Sequence, residues 1–439
     1  MEYIARVVSN VVWPMFIPFL LLLGTYICLQ VFFNIRQRIT TKGKINYKYI
    51  IPQSTVALGT MMGTGTVVGF LTGLSKLSIS GQIYVESIAI WALLGSIILI
   101  PISYCETLIS KVVRMQPKEY IKAFISTKAS KLYVASLVLL YIFAIGGIQL
   151  SGIDAVATTS INKIVSLEFN ELQRYMYIVI PVIIILITII LKNRQSIFLR
   201  ILVTMVILSF STYLLSFFIF LYKTQEYIPI FVERIIIGFK NPVSVLFGIP
   251  LGLIFGLQRV IQIAEPGLGT LALASMKSNA KPREAALISS ILTTVLIVIS
   301  VLVTSYIASY GLSEGIINFS VNGYEKLVSY FDTIISVTGK FGILILFTFI
   351  ALSALTTLLG GYLVLINVAN FNVKNNYLVY VGLLILGGAL SVFNVELVFL
   401  LLEILLFIST SINIMALAMF TEFEWKKYKI RNLEIRKAA

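Results

Sequence analysis

Long apolar runs alternate with short polar segments along the chain, and eleven of these runs are long enough to cross a membrane. A helix needs about 20 apolar residues to cross a hydrocarbon core that is ~30 Å thick. The predicted spans cover residues 11–33, 54–76, 83–109, 132–152, 175–191, 198–221, 243–275, 285–310, 338–366, 377–394 and 398–420. The pattern therefore predicts an all-α polytopic membrane protein in which residues 1–439 form one transmembrane domain.

Composition supports this class and excludes several kinds of enzyme. Of the 439 residues, 58% are hydrophobic and only 12% are charged, whereas about 25% are charged in a typical soluble domain. The chain has no histidine, so Ser–His–Asp catalysis and HExxH zinc chemistry are excluded. We expect a protein that is not an enzyme and has no cofactor. Cys28 and Cys105 lie in apolar runs, which favours core residues over a disulfide.

The net charge of +15 comes mainly from lysine and arginine in alternate loops and in the tail, residues 421–439. By the positive-inside rule, this predicts an N-terminus outside the cell membrane and a C-terminus in the cytoplasm. The basic residues are spread over six separate segments, which favours topology and contact with the lipid bilayer over nucleic-acid binding. No obligate protein partner is evident.

Two spans contain residues that interrupt helices. Span 2 has four glycines and three threonines within residues 59–69, and span 7 has Gly252, Gly256, Pro266, Gly267 and Gly269. Glycine costs a helix up to ~1 kcal/mol and proline ~3 kcal/mol. Unwound backbone at membrane depth is tolerated where it lines a cavity, and transporters use it to bind solutes and ions. The alternative is that these glycines only let helices pack closely.

The positions of the two spans predict an inverted repeat. Span 1 (residues 11–33) is left as a peripheral helix, while spans 2–6 (residues 54–221) and 7–11 (residues 243–420) form two units that each begin with a broken helix. Span 2 enters from the cytoplasm and span 7 from outside, as the two halves of such a repeat require.

Charged residues inside spans are costly and require an explanation. Glu86 and Glu106 lie near the ends of span 3, where they are expected to reach interfacial water, and Glu403 lies deeper in span 11. Arg259 and Glu265 flank the expected break in span 7 and are predicted to pair across it. Such a pair either stabilises the inner half of the helix or takes part directly in coupling.

Five motifs resemble the alanine/glycine:cation symporter family, also called sodium:alanine symporters. They occur in order between residues 57 and 362. The matching segments are GTGTVVGF at 63–70, ETL at 106–108 with Arg114, GGIQ at 146–149, RVIQIAEPGLGT at 259–270 and SALTTLLGG at 353–361. Thr66 replaces an asparagine of the family motif, Gly361 replaces a tryptophan, and Ala264 and Pro266 depart from its NEAG segment. The chain is therefore identified as a divergent member.

The resemblance implies a LeuT-type fold of five plus five inverted helices and sodium-coupled transport of a small neutral amino acid by alternating access. It further implies a substrate site and a sodium site. The expected substrate-binding residues are Gly63, Thr64, Gly65, Thr66, Gln149, Gly256 and Gly361. The expected sodium ligands are Gly59, Met62, Ser353, Thr356 and Thr357, because hard cations take oxygen ligands. Arg259, Glu265 and Gly267 are expected to have structural or coupling roles.

Several alternatives remain open at this stage. Thr356 and Thr357 could instead bond back to carbonyls of their own helix. The protein could carry a different substrate on the same fold, or it could be a transporter-like sensor or partner protein that binds a solute without moving it. A channel is a weaker alternative, because no ring of acidic or carbonyl groups is evident along a pore.

Overall fold

The computed structural model describes most of the chain as helix. The described residues are 11–35, 53–54, 57–58, 61, 63–64, 85–192, 195–240, 242, 245–246, 252–276, 278–318, 323–369 and 373–421. The longer helices are Trp13–Gln30, Val85–Val113, Thr127–Leu139, Ile145–Val165, Ile180–Lys192, Gln195–Lys223, Ile228–Lys240, Pro282–Ser313, Gly323–Ala369, Val373–Phe393 and Val395–Met419. The shorter helices are Pro117–Phe124, Glu171–Arg174, Leu257–Ala264 and Thr270–Met276.

The prediction of an all-α membrane protein is confirmed. Within the described ranges, 8 helices are long and apolar enough to cross a membrane, and two shorter apolar helices, Gly252–Ala264 and Tyr377–Phe393, lie where spans 7 and 10 are predicted. Most of span 2 lies outside the described residues. Every other predicted span therefore has a helix at its position.

Large apolar side chains point outward from these helices, as contact with lipid requires. Leu378 is 83% exposed, Met15 is 74% exposed and Phe33 is 73% exposed. Lipid tails are as apolar as these side chains, so helices in a bilayer associate through close packing and buried polar contacts.

Span 1 packs on spans 3 and 11. Its Gly24 allows the side chain of Ile102 in span 3 to approach closely. Its Trp13 donates from Nε1 to the Glu403 carbonyl of span 11, over 2.8 Å. Span 1 therefore attaches to the bundle through a small residue and a buried hydrogen bond.

Helices outside the predicted spans were missed in the sequence. Pro117–Phe124 follows span 3, Ile228–Lys240 precedes span 7, and the residues before 338 form a helix rather than a loop. Gly339 separates that last helix from span 9 with φ 71° and ψ −160°, a conformation essentially restricted to glycine. Span 9 was predicted to begin at residue 338, beside this boundary, whereas the helix before it was missed because Glu325, Lys326 and Asp332 interrupt its apolar pattern.

Cys28 and Cys105 are free and buried. Their sulfur atoms lie 3.8 Å apart, where spans 1 and 3 meet. This agrees with the prediction of core thiols rather than a disulfide.

Candidate functional site

Span 7 is broken where the sequence predicts it. The Leu257–Ala264 helix ends at Glu265, whose φ is 51°, and Gly267 and Gly269 follow with φ of 81° and 99°. The Thr270–Met276 helix then continues toward the next loop. Both glycines adopt the left-handed region that other residues rarely tolerate.

Side chains from other spans satisfy the backbone groups that the break releases. Tyr133 of span 4 donates its hydroxyl to the Leu268 carbonyl over 2.7 Å, and Asn413 of span 11 donates from Nδ2 to the Gly267 carbonyl over 2.8 Å. Freed carbonyls need such partners at membrane depth. The break is therefore buried in the bundle and stabilised by hydrogen bonds from other spans.

Two buried carboxylates accept hydrogen bonds at the start of the inner half-helix. Glu106 of span 3 accepts from the Ala272 N–H over 3.2 Å, and Glu265 accepts from the Thr270 hydroxyl over 2.6 Å. Carboxylates are stabilised near a helix N-terminus by the helix dipole. The protein's own side chains therefore occupy this helix end, where we had no reason from sequence to place Glu106.

The predicted pairing of Arg259 with Glu265 is wrong. Arg259 instead pairs with Glu403 of span 11, with 2.5 Å between Nη2 and Oε1, and it donates from Nη1 to Gln262 over 2.9 Å. Glu265 accepts from the hydroxyl of Tyr141 in span 4, over 2.8 Å. The Arg259–Glu403 ion pair therefore joins span 7 to span 11, and the hydrogen bond of Glu265 joins span 7 to span 4.

The expectation that Glu86 and Glu106 reach interfacial water is also wrong. Glu106 is fully buried at the break. Glu86 is 1% exposed, accepts a hydrogen bond from Ser309 and lies 3.6 Å from Arg234. The protein interior covers both ends of span 3, and this burial does not follow from the position of a residue in an apolar run.

The described part of span 2 meets spans 4 and 9 at one point. A Cβ built on Gly63 would lie 2.5 Å from Gln149 Nε2 and 2.5 Å from Thr357 Oγ1. Gly63 and Thr64 are not helical. The expected substrate-binding residues Gly63 and Gln149 and the expected sodium ligand Thr357 are therefore in direct contact, and a side chain at position 63 would displace its neighbours.

Gln149 and Thr64 hydrogen-bond to one another. The amide oxygen of Gln149 accepts from the Thr64 N–H over 2.8 Å and from the Thr64 hydroxyl over 2.9 Å. The Thr64 side chain also packs on Gly152, where a Cβ would lie 2.5 Å from Thr64 Cγ2. Thr64, an expected substrate-binding residue, thus has its N–H paired with Gln149 in this structure.

The two threonines of span 9 differ in their surroundings. Thr356 donates to the Ser353 carbonyl over 2.8 Å, which is the back-bonding considered as an alternative. Thr357 is 2% exposed, and among the described residues its hydroxyl has no hydrogen-bond partner. Buried polar groups without partners are uncommon in native proteins, so the Thr357 hydroxyl is a candidate ligand group.

Two glycines predicted to bind substrate pack closely against side chains of other spans. Gly256 lies against Ala92 of span 3, where a Cβ would be 2.5 Å from the Ala92 Cβ. Gly361 lies against the ring of Tyr141, where a Cβ would be 2.9 Å from Cδ1. The ring of Tyr141 thus packs on the position at which the family motif has a tryptophan.

The remaining predicted site residues, Gly59, Met62, Gly65 and Thr66, lie outside the described residues. Sequence reasoning missed Tyr133, Tyr141 and Asn413, which enclose the break in span 7. Asn413 follows the polar run Ser409–Ser411 within an apolar span, and this run was the available signal.

A buried pair, Asp154 and Arg174, was missed as well. Their Oδ2 and Nε atoms lie 3.7 Å apart, and Asp154 is fully buried. Span 4 was predicted to end at residue 152, whereas its helix continues to Val165. Asp154 therefore looked like a loop residue in the sequence. An open cleft of about 530 Å³ lies beside Arg174, which lines it together with residues at the starts of neighbouring helices.

A solved structure with a similar fold covers most of the chain. It is described as the substrate-bound outward-open state of a Na⁺-coupled sialic acid symporter. The identity is 12%, the TM-score is 0.52, and the match covers 89% of this chain and 82% of that chain. At this identity the likeness shows the fold alone. No protein-family model matches the chain, and no curated protein matches it either.

The chain therefore has the fold of a multi-pass membrane transporter. The resemblance to the alanine/glycine:cation symporter family rests on the sequence motifs alone.

Proposed function

We propose that the chain is a sodium-coupled secondary transporter that moves a small neutral amino acid by alternating access. The observation that carries this proposal is the contact of Gly63 with Gln149 and Thr357. Three spans come together there, beside the broken part of span 2. The similar fold of a symporter described as Na⁺-coupled supports the class of mechanism.

The two segments of unwound backbone, in span 2 and in span 7, have different roles in this proposal. At span 7, Glu106, Tyr133 and Asn413 satisfy backbone groups and Glu265 accepts from the Thr270 hydroxyl, so this break acts mainly as a fixed joint. At span 2, the solute displaces the Gln149 amide from Thr64 and binds to the released groups. We place the solute at span 2 for that reason.

Sodium binds beside Thr357 in this proposal. The Thr357 hydroxyl is buried and has no partner among the described residues, and hydroxyl oxygen is a ligand that hard cations accept. Thr356 donates its proton to the Ser353 carbonyl but keeps its oxygen lone pairs for a cation. The predicted carbonyl ligands Gly59 and Met62 complete the set.

Helix contacts support the inverted repeat. Span 3 packs on span 8, and span 4 packs on span 9. In each of these pairs, the two spans hold equivalent positions in the two five-span units, as a repeat requires. Span 6 packs on span 9, and the equivalent pair in the repeat, span 11 and span 4, is also in contact. An additional helix also follows the second span of each unit, Pro117–Phe124 in the first and the residues before Gly339 in the second. The cell-membrane location and the outside N-terminus stay predictions.

Uptake of labelled alanine and glycine into proteoliposomes, driven by an imposed sodium or proton gradient, tests the proposal. We expect sodium-driven uptake that Thr357→Ala reduces at least tenfold at low sodium. Thr348→Ala is the matched control, because Thr348 lies on the same helix and bonds only to the Leu344 carbonyl. Equal sodium-driven uptake by wild type and Thr357→Ala would refute the cation site, and solute binding without uptake would favour the sensor.

A further inference from the structure

Two buried tyrosines from different helices lie close to one another. Tyr213 belongs to span 6 and is 6% exposed, and Tyr330 belongs to the helix before Gly339 and is 1% exposed. The two phenol groups are near enough to act on each other electrostatically. In the part of the chain that the structure describes, neither hydroxyl has a hydrogen-bond partner. Native proteins rarely bury such groups unpaired, so these hydroxyls require a further partner.

Both tyrosines line one small cavity between four helices. The cavity has a volume of about 10 Å³ and lies between span 6, span 8, span 9 and the helix before Gly339. Ser216 of span 6 also lines it, and the other described residues around it are apolar. A cavity of roughly 10–15 Å³ is the smallest that holds a water molecule. The space therefore admits one water-sized ligand and nothing larger.

A third hydroxyl faces the two tyrosines. Thr304 of span 8 is fully buried and interacts with both Tyr213 and Tyr330. Its neighbours Val303 and Ile307 line the cavity. The tyrosine hydroxyls nevertheless form no direct hydrogen bond to it, so the three groups surround a gap. Each hydroxyl can donate and accept, and together they suit a ligand that also does both.

We propose that this cavity binds one water molecule, which bridges Tyr213, Tyr330 and Thr304 and so joins the helix before Gly339 to spans 6 and 8. A buried water makes about three hydrogen bonds, which matches the three hydroxyls. A metal cation does not fit, because no described residue that lines the cavity is charged and the cost of burying an ion would not be offset. The site is therefore structural and independent of the proposed transport.

A double-mutant cycle on the two tyrosines tests the bridge. Tyr213→Phe and Tyr330→Phe each remove one hydroxyl and keep the ring. Each single variant should unfold at a lower SDS fraction in mixed micelles than the wild type does. The double variant should lose clearly less than the sum of the two losses, because the first change already weakens the shared bridge.

Tyr222 provides the matched control for this cycle. It lies on the same helix as Tyr213 and is 75% exposed. The losses of Tyr213→Phe and Tyr222→Phe should therefore add in the double variant, since distant sites without a shared partner are independent.

A dry cavity gives the opposite sign. Removing a buried hydroxyl that has no partner is neutral or stabilising, because its desolvation is no longer uncompensated. Single variants that unfold at the same or a higher SDS fraction than the wild type would overturn the proposal. Losses of Tyr213→Phe and Tyr330→Phe that add in full would also overturn it, since they would show two separate partners.

A high-resolution cryo-EM map of the protein in lipid nanodiscs identifies the ligand directly. We expect one density peak at about 2.5–3.0 Å from both tyrosine hydroxyls, and its loss in the double variant Tyr213→Phe with Tyr330→Phe. A map that resolves other buried waters but shows direct bonds from the tyrosines to Thr304, with no peak between them, would overturn the proposal. This result does not depend on uptake, so the water site and the proposed function can fail separately.

Discussion

Alanine at position 267 should destabilise the broken part of span 7. The φ of Gly267 is 81°, which costs a residue with a Cβ about 1–2 kcal/mol. A Cβ there would lie 2.7 Å from Ile414 Cδ1 and 2.9 Å from Cγ1, and overpacking of this kind costs about 1–3 kcal/mol. The lower entropy of the unfolded chain returns about 0.4–1 kcal/mol. We expect a net loss of about 2–4 kcal/mol in the free energy of unfolding.

Gly315→Ala is the control for this experiment. Gly315 has a similar φ of 69°, but a Cβ there would meet no atom within 4 Å. Only the backbone cost applies, so the loss should be about 1 kcal/mol or less. Unfolding in mixed micelles of increasing SDS fraction measures both variants. Equal losses for the two variants would refute the claim that Ile414 packs tightly against the break.

Two further predictions concern the buried charges around the same break. Arg259→Met should lower the free energy of unfolding by about 3–5 kcal/mol, because it leaves Glu403 buried and unpaired. The double variant Arg259→Met with Glu403→Leu should recover most of this loss. A double variant that is as unstable as Arg259→Met alone would contradict the pairing. Glu106→Ala should cost about 1–3 kcal/mol by leaving the Ala272 N–H without its acceptor, whereas Glu106→Gln should cost less because its amide oxygen still accepts. Equal losses for the two Glu106 variants in the same SDS titration would argue against a capping role.

The hydrophobic pattern predicted the spans well, because the length of a crossing is fixed by the bilayer. The break in span 7 was also predictable, since proline and several glycines disfavour a helix at that point. The helix before Gly339 was missed, because Glu325, Lys326 and Asp332 interrupt its apolar pattern. The end of span 4 was missed because its helix continues past the apolar run to Val165.

The candidate site was predictable only in part. The motifs assigned Gly63 and Gln149 to a substrate site and Thr357 to a sodium site, and these three residues, far apart in the chain, are in contact in the structure. The partner of Arg259 could not be predicted, because it lies 144 residues away in span 11. The packing roles of Gly256 and Gly361 depend on which side chain faces them, and one sequence does not contain that information.

The central claim is that the unwound backbone at Gly63 and Thr64 binds a solute together with its co-ion. The most direct test measures the affinity of the purified protein for alanine with and without sodium, and for sodium with and without alanine. Linkage requires that each ligand tighten the binding of the other by the same factor, and coupling of about 1–3 kcal/mol corresponds to roughly 5–150-fold. We predict equal factors in this range. An alanine affinity that is the same at zero and saturating sodium would contradict the account.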